Sequence, residues 1–446
     1  MRRDARGIPV SSGSERALAR YETALAQLQT YVGDPVATID DALAESPDFV
    51  AGHLMKALTL ATYAERQFAP AIGQAIAAAE GHGGSANDRE RGLLRAARQL
   101  AASGWHAAYR TLDSVLADYP RDALALQVAH LMDFYRGDAL NLRNRVARVL
   151  PHWSRDVPGY SYVLGMYAFG LEEMNQYPEA EETARAALAI EPKDGWAVHA
   201  ATHVMEMQGR VADGVEWLTS RERDWAPDNG FAFHNFWHLA LFHLDGGDYA
   251  SALALHDRSI HPGPAPMLLM LVDATALLWR LVLEGADVGT RFEGVADEWE
   301  AKLDGEGGYY AFNDLHAALA FAATHRDAAM ERLLAHVARA AEAGDANAAM
   351  EREVGAPLVR AVDAYGRGRY DEAADLIASV RDIAHRFGGS QAQRDVLSLT
   401  LVDAARRAGR ASLAKHVLAE RLVARPGGAW GRRLLARIEA TPPVPH

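Results

Sequence analysis

The chain has 446 residues, 49% of them hydrophobic, no cysteine and a formal net charge of −13. That length allows several domains or one long repeat array, while the missing cysteines exclude disulfides, thiolate zinc sites, iron–sulfur clusters and cysteine nucleophiles together. The acidic balance, with no block of basic residues, argues against nucleic acid and anionic membrane as partners, and with lysine only at positions 56, 193, 302 and 415 there is little for Schiff-base chemistry to use.

Residues 1–15 carry basic side chains with no apolar run behind them. We expect a flexible N-terminus rather than a signal peptide, and a cytoplasmic protein. From 16 to 438 alanine-rich amphipathic segments follow one another with almost no strand-like alternation, as one continuous domain. The segment SGWHAAYRTLDSVLADYPRD (103–122) sets Ala108 and Pro120 at repeat positions. The cleanest unit is 160–194, where Tyr177, Ala180, Ala184, Ala187 and Pro192 have the spacing of a 34-residue helix–turn–helix repeat. Its small residues let two helices close on each other, and the proline stops the second.

The next unit then starts at Gly195 and turns at Gly209; another turns within GGDYASAL (246–253). The apolar run 266–285 is interrupted by Asp273 and Arg280, which suits a buried helix better than a bilayer span. Seven residues apart on one face, those two are expected to form an ion pair. Later units match at GRYDEAADL (368–376) and at 409–426 through Gly409, Ala414 and Pro426, with looser matches around 48 and 326. Ser390 and Gln393 have the spacing of a capping box. Longer connections are expected near 80–90, 261–266 and 303–314, and residues 439–446 read as a flexible C-terminal tail. The fold class is therefore all-α: an α-solenoid of degenerate tetratricopeptide-like helix–turn–helix repeats. The Arg/Ala/Gly bias suggests a GC-rich bacterial genome.

Five blocks, YVLGMYAFGLEE, WAVHAATHVMEMQGR, HNFWHLALFHLD, LVDATALLWRLVLEG and GGSQAQRDV, resemble the tetratricopeptide repeat protein 38 family over roughly residues 20–435. The resemblance implies a helical repeat protein of the cytosol and leaves its reaction and partner open.

The histidines are concentrated: seven of eighteen fall between 199 and 261. His199, His203 and Glu206 share a helical face, and the repeat register puts all three on the concave stripe. Glu172 and Glu173 take stripe positions in the preceding unit. His234 and His238, four residues apart, fall near the same edge, with Asp245 close by and Asp314 and His316 further along. Imidazole pairs on facing helices, completed by a carboxylate, can hold a divalent metal such as Zn²⁺, Mn²⁺ or Fe²⁺, and His199, His203, Glu206, His234 and His238 are the candidate ligands. The same set could work without metal as His/Glu acid–base pairs, bind a ligand, or form a structural polar network. Neither a phosphate loop nor a G-x-S-x-G elbow is present.

The leading expectation is a binding protein whose concave groove, lined by these His and Glu residues, holds a small molecule or peptide segment. The alternative is an enzyme, a metal-dependent hydrolase or His/Glu acid–base catalyst, with its site in the same groove. The sequence leaves oligomeric state open.

Overall fold

The structure, a computed structural model, describes residues 2–11 and 13–440. Among them are twenty-five α-helices and a single two-stranded sheet, so the expected all-α class of tetratricopeptide-like helix–turn–helix repeats is the one found. In place of one continuous domain there are two compact units. The first runs to Ala201 and takes in Arg223–Phe231; the second comprises Thr202–Glu222 and the chain from Ala232 onward.

In the first unit the N-terminus is held in place rather than flexible. Strands β1 (Arg2–Arg3) and β2 (Pro9–Val10) pair antiparallel. Asp4 accepts from the backbone N–H groups of Arg6 and Ile8, at 2.9 and 2.8 Å. Arg6 reaches Glu22 at 2.6 Å. Ile8 and Val10 are buried. Two apolar side chains to cover and a carboxylate to satisfy the turn are what tie this leader down.

Helices α1 (Glu15–Thr30), α2 (Pro35–Glu45), α3 (Val50–Ala61), α4 (Ala69–Gly81), α5 (Asp88–Ala101) and α6 (Trp105–Asp118) follow as pairs. They continue through α7 (Ala123–Tyr135), α8 (Ala139–Val149), α9 (Tyr160–Glu173) and α10 (Tyr177–Leu188). The small positions expected to bring paired helices together, Ala180, Ala184 and Ala187, are buried in α10. A buried ion pair fixes α5 near the start of α7: Arg89 Nε donates to Asp122 at 2.6 Å and Nη2 to the Tyr21 hydroxyl at 3.2 Å. Helix α11 (Gly195–Met207) begins in this unit, capped by Asp194, which accepts from Ala197 N–H at 3.0 Å.

The second unit contains the end of α11, then α12 (Val211–Ser220), the short α13 (Glu222–Trp225), whose last three residues belong to the first unit, and α14 (Ala232–Gly246) with α15 (Tyr249–Leu255). After them come α16 (Leu268–Glu284), α17 (Arg291–Glu306), α18 (Ala311–Ala323), α19 (Asp327–Ala341) and α20 (Ala346–Met350). The unit ends with α21 (Ala356–Gly366), α22 (Tyr370–Val380), α23 (Gln391–Arg407), α24 (Ala411–Ala424) and α25 (Ala429–Ala440). The capping box at Ser390 and Gln393 is present at the start of α23. Of the expected tail, Glu439 and Ala440 close α25, and the rest lies outside the described residues.

The turns repeat a single chemistry. Arg210 N–H bonds Met205 C=O, Asp248 bonds His243, Arg369 bonds Ala364 and Arg410 bonds Ala405, each at 2.8 Å. Each is the i to i−5 closure of a Schellman ending, and each follows a glycine at positive φ: Gly209, Gly247, Gly368 and Gly409. The sequence period was reading these turns.

What it did not read is a closure within the second unit. Helix α23 packs on α16 and α25 on α14, so helices far apart in the sequence meet. Trp279 Nε1 donates to Thr400 Oγ1 at 2.9 Å, and Arg433 reaches Glu284 at 2.9 Å. No helix among the described residues is long and apolar enough to cross a membrane; α16 is instead buried over most of its length.

Candidate functional site

The spacing in HNFWH places His234 and His238 one turn apart on one face of α14. Within the second unit they meet His203 and Glu206 from the end of α11 and Asp273 from the middle of α16. The ring centroids of His203 and His238 are 4.4 Å apart, and those of His234 and His238 4.9 Å. One nitrogen from each of the three imidazoles lies within 4.8 Å of the others. His203 and His238 are fully buried, and His234 and Glu206 nearly so.

Two of the rings are oriented by carboxylates on other helices. His238 Nδ1–H donates to Glu206 Oε2 at 2.6 Å, and His234 Nδ1–H to Asp273 Oδ2 at 2.7 Å. Each contact fixes a tautomer and leaves Nε2 as the nitrogen with a lone pair to offer. Burial, reinforced by His203, His234, Arg280 and Arg425, holds His238 well below the usual imidazole range, so it is neutral at pH 7. Burial also pushes the Asp273 carboxyl up, while His234 and then Arg280 pull it down. His234 further stacks on Trp237, with ring centroids 5.2 Å apart and planes 15° apart.

The expected Asp273–Arg280 ion pair is not formed. Two helical turns separate the residues by about 10 Å along the axis, and the nearer His234 takes the carboxylate. Arg280 donates instead to the carbonyls of Ala276, Ala392 and Gln393, each at 3.0 Å, and lies 5.4 Å from the Trp237 ring centre. Glu206 also has a cationic neighbour, Arg425, at 3.5 Å. Arg425 in turn lies 3.4 Å from Asp395.

His199, one turn before His203 on α11, belongs to the first unit and packs there between Trp196, Phe231 and Phe169, at centroid distances of 5.0, 5.1 and 5.3 Å. Glu172 and Glu173, at the end of α9, are buried, and α9 packs against α8 and α10. Asp245 is a helix cap: its Oδ1 accepts from the N–H groups of Ala429 and Trp430, at 2.7 and 3.0 Å. His316 bonds back to the Phe312 carbonyl at 2.8 Å, and burial lowers it to about 4, the behaviour of a core spacer. Within the second unit, then, the histidines do not line an open groove: the helices that would form its wall are packed against each other.

Asp395 and Arg425 were missed as neighbours of the site, and Asp273 and Arg280 were read as partners of each other. A signal for Asp273 was available, because a carboxylate in the middle of an apolar helix requires a partner and α14 offers buried imidazoles. For Arg425, 219 residues from Glu206, there was none.

Three converging imidazoles, two of them held at Nδ1 by a carboxylate, suit a divalent cation chemically. Outer carboxylates of this kind fix ring orientation and strengthen the ligand, and three protein ligands leave a position for water or substrate. A tetrahedral ion with bonds of about 2.0–2.1 Å sets its nitrogens roughly 3.4 Å apart, so only small ring rotations are needed. The same His–carboxylate pairs also have the geometry of an oriented general base.

The fold and this site define a tetratricopeptide-like helical repeat protein with a buried imidazole–carboxylate centre. No family model matches the sequence. Among solved structures, the chain is similar to one described as human IFIT1 dimer with m7Gppp-AAAA, at 12% identity and a TM-score of 0.44 over 96% of this chain and 95% of that one. It is also similar to yeast Tom70, at 12% identity and a TM-score of 0.37 over 82% of this chain and 90% of that one. At these values the likenesses bear on neither ligand nor site.

Proposed function

We propose that this chain is a binding protein of the tetratricopeptide-like class whose second unit holds a divalent metal ion on His203, His234 and His238. The observation that carries the reading is that two of these imidazoles have Nδ1 clamped by a buried carboxylate, Glu206 or Asp273, while all three offer a nitrogen within 4.8 Å of one another. A purely structural network needs each ring satisfied once; it does not need three rings converging. With three protein nitrogens and an open position, the centre belongs to the class of site that activates water for hydrolysis. The tetratricopeptide repeat protein 38 family remains the proposed relationship, supported by the way its blocks fall on α9, α11, α14 and α16 and at the start of α23.

The test is metal content of chain purified without chelator or nickel resin, followed by titration of the stripped protein with Zn²⁺ and with Co²⁺ as a spectroscopic probe. We expect about one equivalent per chain, lost in His203→Ala and His238→Ala variants that keep wild-type helicity. Glu206→Gln and Asp273→Asn should keep the stoichiometry and weaken affinity by roughly 10–100-fold. A stripped protein that takes up neither ion, or variants that bind as the wild type does, would sink the reading.

A further inference from the structure

A second feature of this unit lies beyond the histidines: a cavity of about 300 Å³ walled by α23, α24 and the segment 381–387. That volume is at the lower end for small-molecule sites. Its charged lining is Arg381, Arg394, Arg421 and Arg425 against Asp395 and Glu420, a formal surplus of two positive charges in a protein whose net charge is −13. Leu397, Val417 and Ala424 supply an apolar wall.

Two groups in the lining report the sign of the local field. Asp395 is half-buried, and its withdrawal from water would by itself raise its carboxyl, yet Arg421, Arg425 and Arg280 bring it down to about 2. The His385 imidazole is held low by burial and then by Arg394 and Arg386. A negative group is favoured there and a positive one disfavoured, as the arginine count requires. The donors are also pre-positioned. Arg421 is nearly buried, with Nε and Nη2 on Asp395 at 3.2 Å and its guanidinium 4.9 Å from the Trp430 ring centre. A guanidinium fixed in this way presents its remaining N–H groups in a plane that suits carboxylate or phosphate oxygens.

We propose that this cavity binds a small organic oxyanion, a carboxylate or phosphate monoester carrying an apolar portion. The arginines take the head group, and Leu397, Val417 and Ala424 take the apolar part. The site does not depend on metal at the histidines, although Arg425 touches both Asp395 and Glu206 and so links the two.

The experiment is calorimetric titration of chelator-treated chain with phenyl phosphate, with benzoate, and with benzyl alcohol as the uncharged analogue. We expect saturable binding of at least one anion, none of the alcohol, and weakening with added salt. Ser398→Asp, which places a carboxylate in the cavity wall, and Arg381→Gln should each weaken binding at least about tenfold while the far-ultraviolet spectrum stays unchanged. Preference for phenyl phosphate or for benzoate assigns the head group. No saturable heat with either anion, equal binding of the alcohol, or variants that bind as the wild type does overturns the proposal. Because the protein is metal-free throughout, that result leaves the metal reading to its own test.

Discussion

At the scale of single residues, the chemistry rests on carboxylates taken out of water. Asp194, the cap of α11, shows it outside the site. Burial raises its carboxyl to about 7, against the N–H groups of Ala197 and Trp196, which act to lower it. In the unfolded chain the group titrates near 4. Between those values the folded chain keeps a proton that the unfolded chain has lost, so this contribution to stability is fully present below pH ~4. It falls as pH rises through about 7, then levels off. We expect the urea midpoint of the wild type to be higher at pH 5 than at pH 8 by more than that of Asp194→Asn, whose amide oxygen can still cap Ala197. The corresponding difference in unfolding free energy should be on the order of a few kcal/mol. Equal pH dependence in the two proteins would show that Asp194 is already ionised in the fold. Within the candidate site, the imidazoles were legible from their spacing. Which carboxylate each would take was not, because Asp273 faces both Arg280 along its own helix and His234 across a helix interface. Only the packing decides between them.

At the scale of elements, the repeat is written in its turns. Gly209 and Gly368 occupy equivalent turn positions with φ of 68° and 74°. Their surroundings differ. A Cβ on Gly209 would lie 2.7 Å from the backbone nitrogen of Gly428, whereas nothing lies within 4 Å of one on Gly368. Gly368→Ala should therefore cost only the left-handed backbone penalty, about 1–2 kcal/mol. Gly209→Ala should cost that and more, since two backbone segments must separate. Urea unfolding of the two variants checks the difference; equal losses would mean that the approach of 427–428 to this turn contributes nothing. The period placed both turns correctly, since a Schellman ending depends on six consecutive residues. It carried no sign that one of them touches a segment more than two hundred positions later.

At the scale of the whole molecule, the proposed metal centre joins the end of α11 to α14 and, through Asp273, to α16. An ion bound only by the folded state stabilises it by mass action, by about 2.7 kcal/mol at a hundredfold excess over Kd. For a unit of roughly 200 residues that corresponds to a rise in Tm of about 5–10 °C. We expect Zn²⁺ to produce such a shift in the wild type and none in His238→Ala, followed by scanning calorimetry. A shift of equal size in the variant would place the ion elsewhere. The anion should add its own increment in metal-free protein.

The turns at Gly209, Gly368 and Gly409, the capping box at Ser390 and the shared helical face of His234 and His238 were legible in the residues alone. Those features depend on residues within about one or two turns of each other, and local chemistry is repeated often enough in this chain to be read. Packing alone settled that the chain forms two units and that α23 and α25 return to α16 and α14. It also decided that Arg425 reaches Glu206 across 219 positions and that the expected groove wall is a packed interior. The physical reason is that alanine-rich repeats present nearly interchangeable surfaces. Which pairs of them meet is settled by the sum of many long-range contacts, and those no single segment records.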